Sequence, residues 1–357
     1  MNEPGIYLHV PFCQKKCGYC SFYSVTDYEK WIFAYRKAVI RDIQETRQLL
    51  GDEKPDTLYI GGGTPSLLPL SEWNILLPLL IQDYPLKEVT MEINPGTVDE
   101  AKIAQYKESG VNRLSIGIQS LSDDILTFLG RIHNQKQARE TIEIAKKIFP
   151  NFSVDIIFSI PGFPFSSFEN TVKSLVENYL PPHISAYSLT IEQDTPFFER
   201  KISSDDSQFE KEYCWLHDYL ATQGYIHYEV SNYALPGYLA LHNSKYWERV
   251  PYLGIGPSAH SLWQEKRFEY QNKEDFFQST FSQKYRESGS LTQEEIRTEK
   301  IMLGARTLKG IPLSLLFPSQ KKLKIWEDIG LIEMKQDKIF LTWKGWMVMN
   351  SIVLELL

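Results

Sequence analysis

Six short apolar runs, each followed by a polar or glycine-containing turn and then by helical periodicity, constrain what this chain can fold into. The runs are Ile6–Val10, Thr57–Ile60, Glu88–Ile93, Leu114–Ile118, Val154–Ile160 and Ile184–Leu189. Helical patterns follow at about Tyr28–Leu50, from Ser71, at Asp99–Ser109, at Asp123–Leu129 with Gln135–Ile148, at Phe168–Tyr179 and at Ser207–Gln223. Strands alternating with helices at this rhythm indicate an α/β fold of parallel βα units. Six units fit an incomplete (β/α)6 barrel of the TIM type better than a doubly wound sheet. Every polar or glycine-rich signature falls just after a strand, on the C-terminal rim where such barrels build their sites.

The 357 residues correspond to roughly two domains at about 150 residues each. The pattern changes after Leu262, so the expected division is 1–262 and 263–357. In the second part Glu294–Thr307, Leu313–Phe317 and Gln320–Ile329 read as helices. Leu331–Met334 and Ile339–Thr342 read as a hairpin around Gln336-Asp337-Lys338. Helices followed by a small hairpin suggest a winged-helix-like domain. With 38 Lys and Arg against 45 Asp and Glu, net charge −7, a packing or partner-docking role is expected over nucleic-acid binding, placed as a lid or docking surface over the open side of the barrel. The start Met1-Asn2-Glu3-Pro4-Gly5 shows no leader pattern, and the longest apolar stretch, Ile75–Ile81, is broken by Pro78. A cytoplasmic setting is expected, where structural disulfides are disfavoured.

The four cysteines therefore need another explanation. Cys13, Cys17 and Cys20 form a C-x3-C-x2-C run, with Cys214 far away. Three thiols this close on a loop can converge on a soft metal centre, either zinc or an iron–sulfur cluster, or remain metal-free. Zinc needs a fourth ligand, such as His9. A cubane held by three thiolates leaves one iron open, and S-adenosylmethionine offers oxygen and nitrogen to such a site. Gly61-Gly62-Gly63 after the second strand either makes a tight βα turn or lets backbone approach a ligand. It is not a phosphate loop, because the G-x4-G-K spacing is absent. Cys214, beside Trp215 and Leu216 on a helical face, is expected to be a small buried hydrophobe.

An ordered set of motifs carries a resemblance over nearly the whole chain. It comprises Tyr7-Leu8-His9-Val10-Pro11-Phe12-Cys13, Gly61-Gly62-Gly63-Thr64-Pro65, Glu92-Ile93-Asn94-Pro95, Arg113-Leu114-Ser115-Ile116-Gly117-Ile118-Gln119-Ser120, Gly130-Arg131-Ile132-His133, Asp155-Ile156-Ile157 and Tyr252-Leu253-Gly254-Ile255-Gly256-Pro257. The chain resembles the radical S-adenosylmethionine superfamily and, within it, the HemN/HemW group of haem-related proteins. The resemblance implies Cys13, Cys17 and Cys20 as ligands of a [4Fe-4S] cluster, with S-adenosylmethionine on the open iron and cleavage to a 5′-deoxyadenosyl radical on reduction. It implies that Tyr7 and Tyr19 flank the cluster and nucleoside, that Gly62, Gly63 and Thr64 receive the methionine end, and that Glu92, Gln119, Arg131 and Asp155 complete the pocket. A carboxylate holds an ammonium, an arginine holds a carboxylate, and polar groups select ribose hydroxyls. The alternative for Glu92 or Asp155 is satisfying loop amides at a strand end.

Within the group, the coproporphyrinogen-oxidising members carry a fourth cysteine two residues past the third and an N-terminal extension. Here Phe22 occupies that position and few residues precede the first strand. His242-Asn243-Ser244-Lys245-Tyr246-Trp247 instead matches the H-N-x-x-Y-W pattern of the group's haem chaperones. Ser21 stands where Asp is usual, and Ser258 where Gly is usual. A neutral imidazole can ligate haem iron beside flat aromatic rings, so His242 is a candidate axial ligand, the alternative being a histidine that bonds a loop. The implied function is haem binding and transfer to acceptor proteins, with cluster and S-adenosylmethionine controlling its state. Oxygen-independent oxidation of coproporphyrinogen III is the alternative, and a zinc-stabilised binding module the third. Implied partners are haem or a related tetrapyrrole, haem acceptors and an electron donor for the cluster, without nucleic acid, with a homodimer or peripheral membrane association through a partner as further expectations.

Overall fold

The computed structural model describes residues 3–270, 275–277, 285–317 and 320–357. Met1 and Asn2, where the leader reading begins, lie outside them. Strands β1 (Gly5–Val10), β2 (Thr57–Gly62), β3 (Glu88–Ile93), β4 (Arg113–Gln119), β5 (Phe152–Phe158) and β6 (His183–Ser188) pair in parallel in chain order. Between and after them run α1 (Ile32–Leu50), α2 (Leu70–Ile81), α3 (Glu100–Glu108), α4 (Asp123–Leu129), α5 (Gln135–Ile148), α6 (Phe165–Tyr179), α7 (Pro196–Glu199) and α8 (Asp206–Thr222). The helix expected from Tyr28 starts as a separate 3-10 turn, Tyr28–Trp31.

The expected partial α/β barrel is present, and the sheet is larger than six strands. Strands β7 (Ile226–Glu229) and β8 (Asn232–Ala234) extend it antiparallel beyond β6. On the other side β9 (Tyr252–Ile255) pairs parallel to β1, followed by antiparallel β10 (His260–Trp263), β11 (Lys266–Tyr270) and β12 (Tyr285–Ser290). The resulting sheet of 12 strands runs from β12 to β7 and crosses residues 262 and 263 without a break. The turn after β9 places Ser258 at φ 66°, a left-handed conformation that favours glycine.

Strand alternation divides the sheet by chemistry. Ile6, Leu8, Val10, Leu58, Ile60, Met91, Leu114, Ile116, Val154 and Ile156 stand in register on one face, buried in a continuous core with Tyr35, Val39, Leu76, Ile103, Ile142 and Val172 of the helices. The other face, across the same registers, carries Tyr7, Tyr59, Thr90, Glu92, Arg113, Ser115, Ser153, Asp155, His183 and Ser185. Apolar burial against helices therefore holds the barrel wall together, and the lumen is left to polar groups.

A short helix, α9 (Leu241–Trp247), closes the base of this lumen. The Glu88 carboxylate at the start of β3 accepts from the backbone N–H groups of Leu241 and His242, an acidic cap at a helix N-terminus. Lys245 bridges to Asp56 at 2.7 Å and donates to the Glu3 carbonyl. The C-terminal module follows as helix Gln293–Gly304, β13 (Ile311–Pro312), helix Gln320–Asp328, β14 (Ile332–Lys335), β15 (Lys338–Leu341) and helices Trp343–Met347 and Met349–Leu356. Its three strands order as β13-β15-β14, a winged-helix-like arrangement. Trp346 donates to the Ala305 carbonyl and packs edge-on to His227, and Thr307 bridges Glu229. The module thus covers the β7 edge of the large sheet, which would otherwise present unpaired backbone. Cys214, expected buried, is half-buried, with its thiol 3.9 Å from the Met347 sulfur. Among the described residues no helix is long and apolar enough to cross a membrane.

Ile60 is fully buried in the wall and Ile75, on α2, is 40% exposed. Ile60→Ala should destabilise the fold by about 2–5 kcal/mol, and Ile75→Ala by about 0.5 kcal/mol or less, in urea unfolding. Equal losses would contradict the assignment of the helix-facing side.

Candidate cofactor site

The cysteine loop leaves β1 and is tied down at both ends. Cys13 N–H donates to the Val25 carbonyl and Val25 N–H to Pro11. Gly18 N–H donates to the Leu129 carbonyl, and the Gly18 carbonyl accepts from Phe197 N–H. A side chain at Gly18 would meet the Phe197 ring at 2.3 Å, so the loop rests on that ring through a residue without a Cβ. Cys13, Cys17 and Cys20 are partly exposed free thiols lining one recess with Gly62, Gly63, Thr64, Asn94 and Arg131. Among the described residues no three His, Cys, Asp or Glu side chains converge to hold a single metal ion. Thiols spread around one recess suit a cluster in which each thiolate takes a different iron.

Three glycines at the end of β2 make that recess possible. A Cβ on Gly61 would lie 2.7 Å from a Glu92 carboxylate oxygen. On Gly62, at φ 114°, it would strike the His9 ring, and on Gly63 it would lie 2.6 Å from the Phe12 carbonyl and 3.1 Å from the Cys13 sulfur. Each glycine makes room for a different part of the site, beyond what a tight turn needs.

Thr64 hydroxyl lies 3.8 Å from the Cys13 sulfur and accepts from Asn94 Nδ2 at 2.9 Å. Arg131 donates to Asn94 Oδ1 and to the Gly117 carbonyl, and its Nη1 is 3.7 Å from the Cys17 sulfur. Its buried Nε has no partner, an orphan donor of the kind a bound polar ligand satisfies. Burial pushes the Cys13 and Cys20 thiols up. Gln119 ends β4 at φ 63°, where the register against β5 shifts between Gly117 and Gln119. This bulge re-aims the side chain back toward Gly117.

Deeper in the lumen, Glu92 accepts from the Tyr59 hydroxyl at 2.7 Å and from Gly62 N–H at 3.1 Å. Desolvation pushes its carboxyl up to about 7, opposed by the Tyr59 hydrogen bond and reinforced by Asp155. Asp155 accepts from Ser115 and Ser153 hydroxyls, and burial pushes its carboxyl up as well. Tyr7 donates to His9 Nδ1, whose Nε2–H donates to the Tyr23 carbonyl, and Tyr19 packs on Phe197. Burial raises both phenols.

The structure brings twelve of the thirteen sequence-predicted residues to the rim and lumen and sets His242 apart. His242 is fully buried at the lumen base, with Nδ1 2.9 Å from Thr57 Oγ1 and Nε2 2.8 Å from the Tyr246 hydroxyl. Both ring nitrogens are thus engaged by hydroxyl groups in this structure. Desolvation, with Lys245 and Arg113 nearby, pushes its pKa down to about 3, keeping the ring neutral. Sequence reading assigned no role to Asn94, Tyr59 or Phe197. Asn94 was visible beside Glu92 in its motif, and Tyr59 by its alternation with Gly61. Phe197 carries no local signal.

Residues 7–175 match the Radical SAM superfamily. The chain is 30% identical to "Heme chaperone HemW" of Bacillus subtilis, an alignment covering 97% of each. It is 36% identical to the protein of the same name from Lactococcus lactis over 71% of this chain and 68% of that one. The chain belongs to the HemW family of the radical SAM superfamily. A bovine relative, "Radical S-adenosyl methionine domain-containing protein 1, mitochondrial", is 30% identical over 100% of this chain and 88% of its own. Escherichia coli coproporphyrinogen III oxidase HemN shares the fold, with TM-score 0.84 at 21% identity, over 99% of this chain and 89% of that one. Membership in the superfamily implies a [4Fe-4S] cluster and S-adenosylmethionine, which the thiol recess, glycine cradle and orphan Arg131 donor fit.

Gly63→Ala should force the Phe12 backbone away, destabilise the fold by about 1–3 kcal/mol and lower iron and sulfide per chain after anaerobic reconstitution. Wild-type iron content in a variant of unchanged stability would contradict the cradle.

Proposed function

We propose that this protein is a haem carrier that receives haem and passes it to acceptor proteins, with a [4Fe-4S] cluster and S-adenosylmethionine setting its state. The observation that carries the reading is similarity spanning 97% of a protein named as a haem chaperone. It is supported by Phe22, which lines the thiol recess, 65% exposed, where the oxidases have a fourth cysteine. Cys13, Cys17 and Cys20 hold the cluster in this reading. A cluster bound by three thiolates supplies one iron open to S-adenosylmethionine. Gly62, Gly63 and Thr64 offer backbone and hydroxyl groups to the methionine end. Ionised Glu92 takes its ammonium and Arg131 its carboxylate, while Tyr7, Tyr19, Gln119 and Asp155 bound the pocket and exclude water. The setting proposed is cytoplasmic, with membrane contact through a partner.

Titration of the reconstituted protein with haem should give a saturable Soret band, and mixing with an apo-haem protein should move that band to the acceptor. Incubation with coproporphyrinogen III, S-adenosylmethionine and a reductant should leave the tetrapyrrole unchanged. Protoporphyrinogen formation, or absence of haem binding, would overturn the proposal.

A further inference from the structure

The H-N-x-x-Y-W segment forms α9 at the lumen base, where its histidine is sealed. His242 bonds Thr57 Oγ1 with one nitrogen and the Tyr246 hydroxyl with the other, and its ring packs on Tyr59 at 5.4 Å between centroids. Tyr59 stands two residues along β2 from Thr57 on the same face. Its hydroxyl donates to Glu92 Oε1, whose other oxygen accepts from Gly62 N–H. A continuous set of contacts thus runs from α9 through Tyr59 to the carboxylate at the end of the glycine cradle.

We infer that His242, Tyr246 and Tyr59 are positioning residues, which hold the Glu92 carboxylate against Gly62 for an ammonium-bearing ligand, and that His242 does not ligate haem. The inference rests on the proposed reading only in taking that ligand to be S-adenosylmethionine. Without His242 the base of the lumen is a cavity beneath the Tyr59 ring, and without the Tyr59 hydroxyl one Glu92 oxygen loses its donor. The carboxylate is faced by Tyr7 from β1, Tyr59 from β2, Asp155 from β5, Tyr187 from β6 and Tyr246 from α9. The Tyr59 hydroxyl and the Gly62 N–H favour its ionised form, and Asp155 opposes it. Removing the Tyr59 donor therefore raises the Glu92 pKa further, and less carboxylate is ionised at neutral pH.

The test is calorimetric S-adenosylmethionine binding to the reconstituted protein at pH 7 and 8.5, with haem titration alongside. Tyr59→Phe should bind about tenfold more weakly at pH 7, with iron content unchanged and part of the loss recovered at pH 8.5 as Glu92 ionises. His242→Ala should weaken S-adenosylmethionine binding and retain the Soret band, and His242→Gln, which can bond both Thr57 and Tyr246, should restore affinity. Should His242→Ala misfold, Tyr59→Phe alone decides. Unchanged affinity of Tyr59→Phe at both pH values would overturn the inference, as would loss of haem with S-adenosylmethionine binding intact in His242→Ala. Failure of the wild-type protein to bind haem would instead defeat the carrier proposal and leave the S-adenosylmethionine comparison readable.

Discussion

The close approach allowed by Gly61, Gly62 and Gly63 is the constraint on which the rest of the site depends. These residues bring the end of β2 within a missing Cβ of Glu92, of the His9 ring and of the Phe12–Cys13 backbone. The cysteine loop, the lumen carboxylate and the hydroxyl of Thr64 meet there because nothing stands between them. Side chains at these positions would push apart strands that are otherwise locked by a well-packed wall. The glycine cradle and the apolar wall are therefore complementary: one permits proximity, the other prevents relaxation.

That wall also explains how so many polar groups survive in one lumen. Burial of the helix-facing residues supplies cohesion, so the inner face is free to carry Arg113, Asp155, His183 and Glu92. Asp155, His183 and Glu92 are satisfied by hydroxyls, as in Ser153 with Asp155 and His183, or Tyr59 with Glu92, whereas the buried Arg113 Nε has no partner. The cost appears as carboxyls pushed upward by desolvation, Glu92 to about 7. A lumen poised in this way favours a cationic ligand, whose arrival would restore the ionised form.

Much of this was legible in the sequence, and what was not has a common physical reason. The cysteine spacing, the triple glycine and the strand rhythm are local, so residues within a few positions of one another carry the signal. Asn94 links Thr64 to Arg131, and Phe197 supports Gly18, through contacts between distant segments that no local period encodes. Strand β9 carries no local signal for the same reason: its four residues form a strand only because β1, nearly 250 positions earlier, offers an edge. His242 combines a local signal with distant contacts. Its motif is local and includes its partner Tyr246, but its burial depends on Thr57 and Glu88 arriving from distant strands.

In the proposed reading, three thiols and a polar lumen together hold a cluster whose open iron faces an S-adenosylmethionine pocket. Electron paramagnetic resonance of the reduced, reconstituted protein, recorded with and without S-adenosylmethionine, tests it most directly. The reduced protein should give a four-iron cluster signal whose g values shift when S-adenosylmethionine is added. A signal indifferent to S-adenosylmethionine, or a colourless protein holding zinc at the three cysteines, would contradict it.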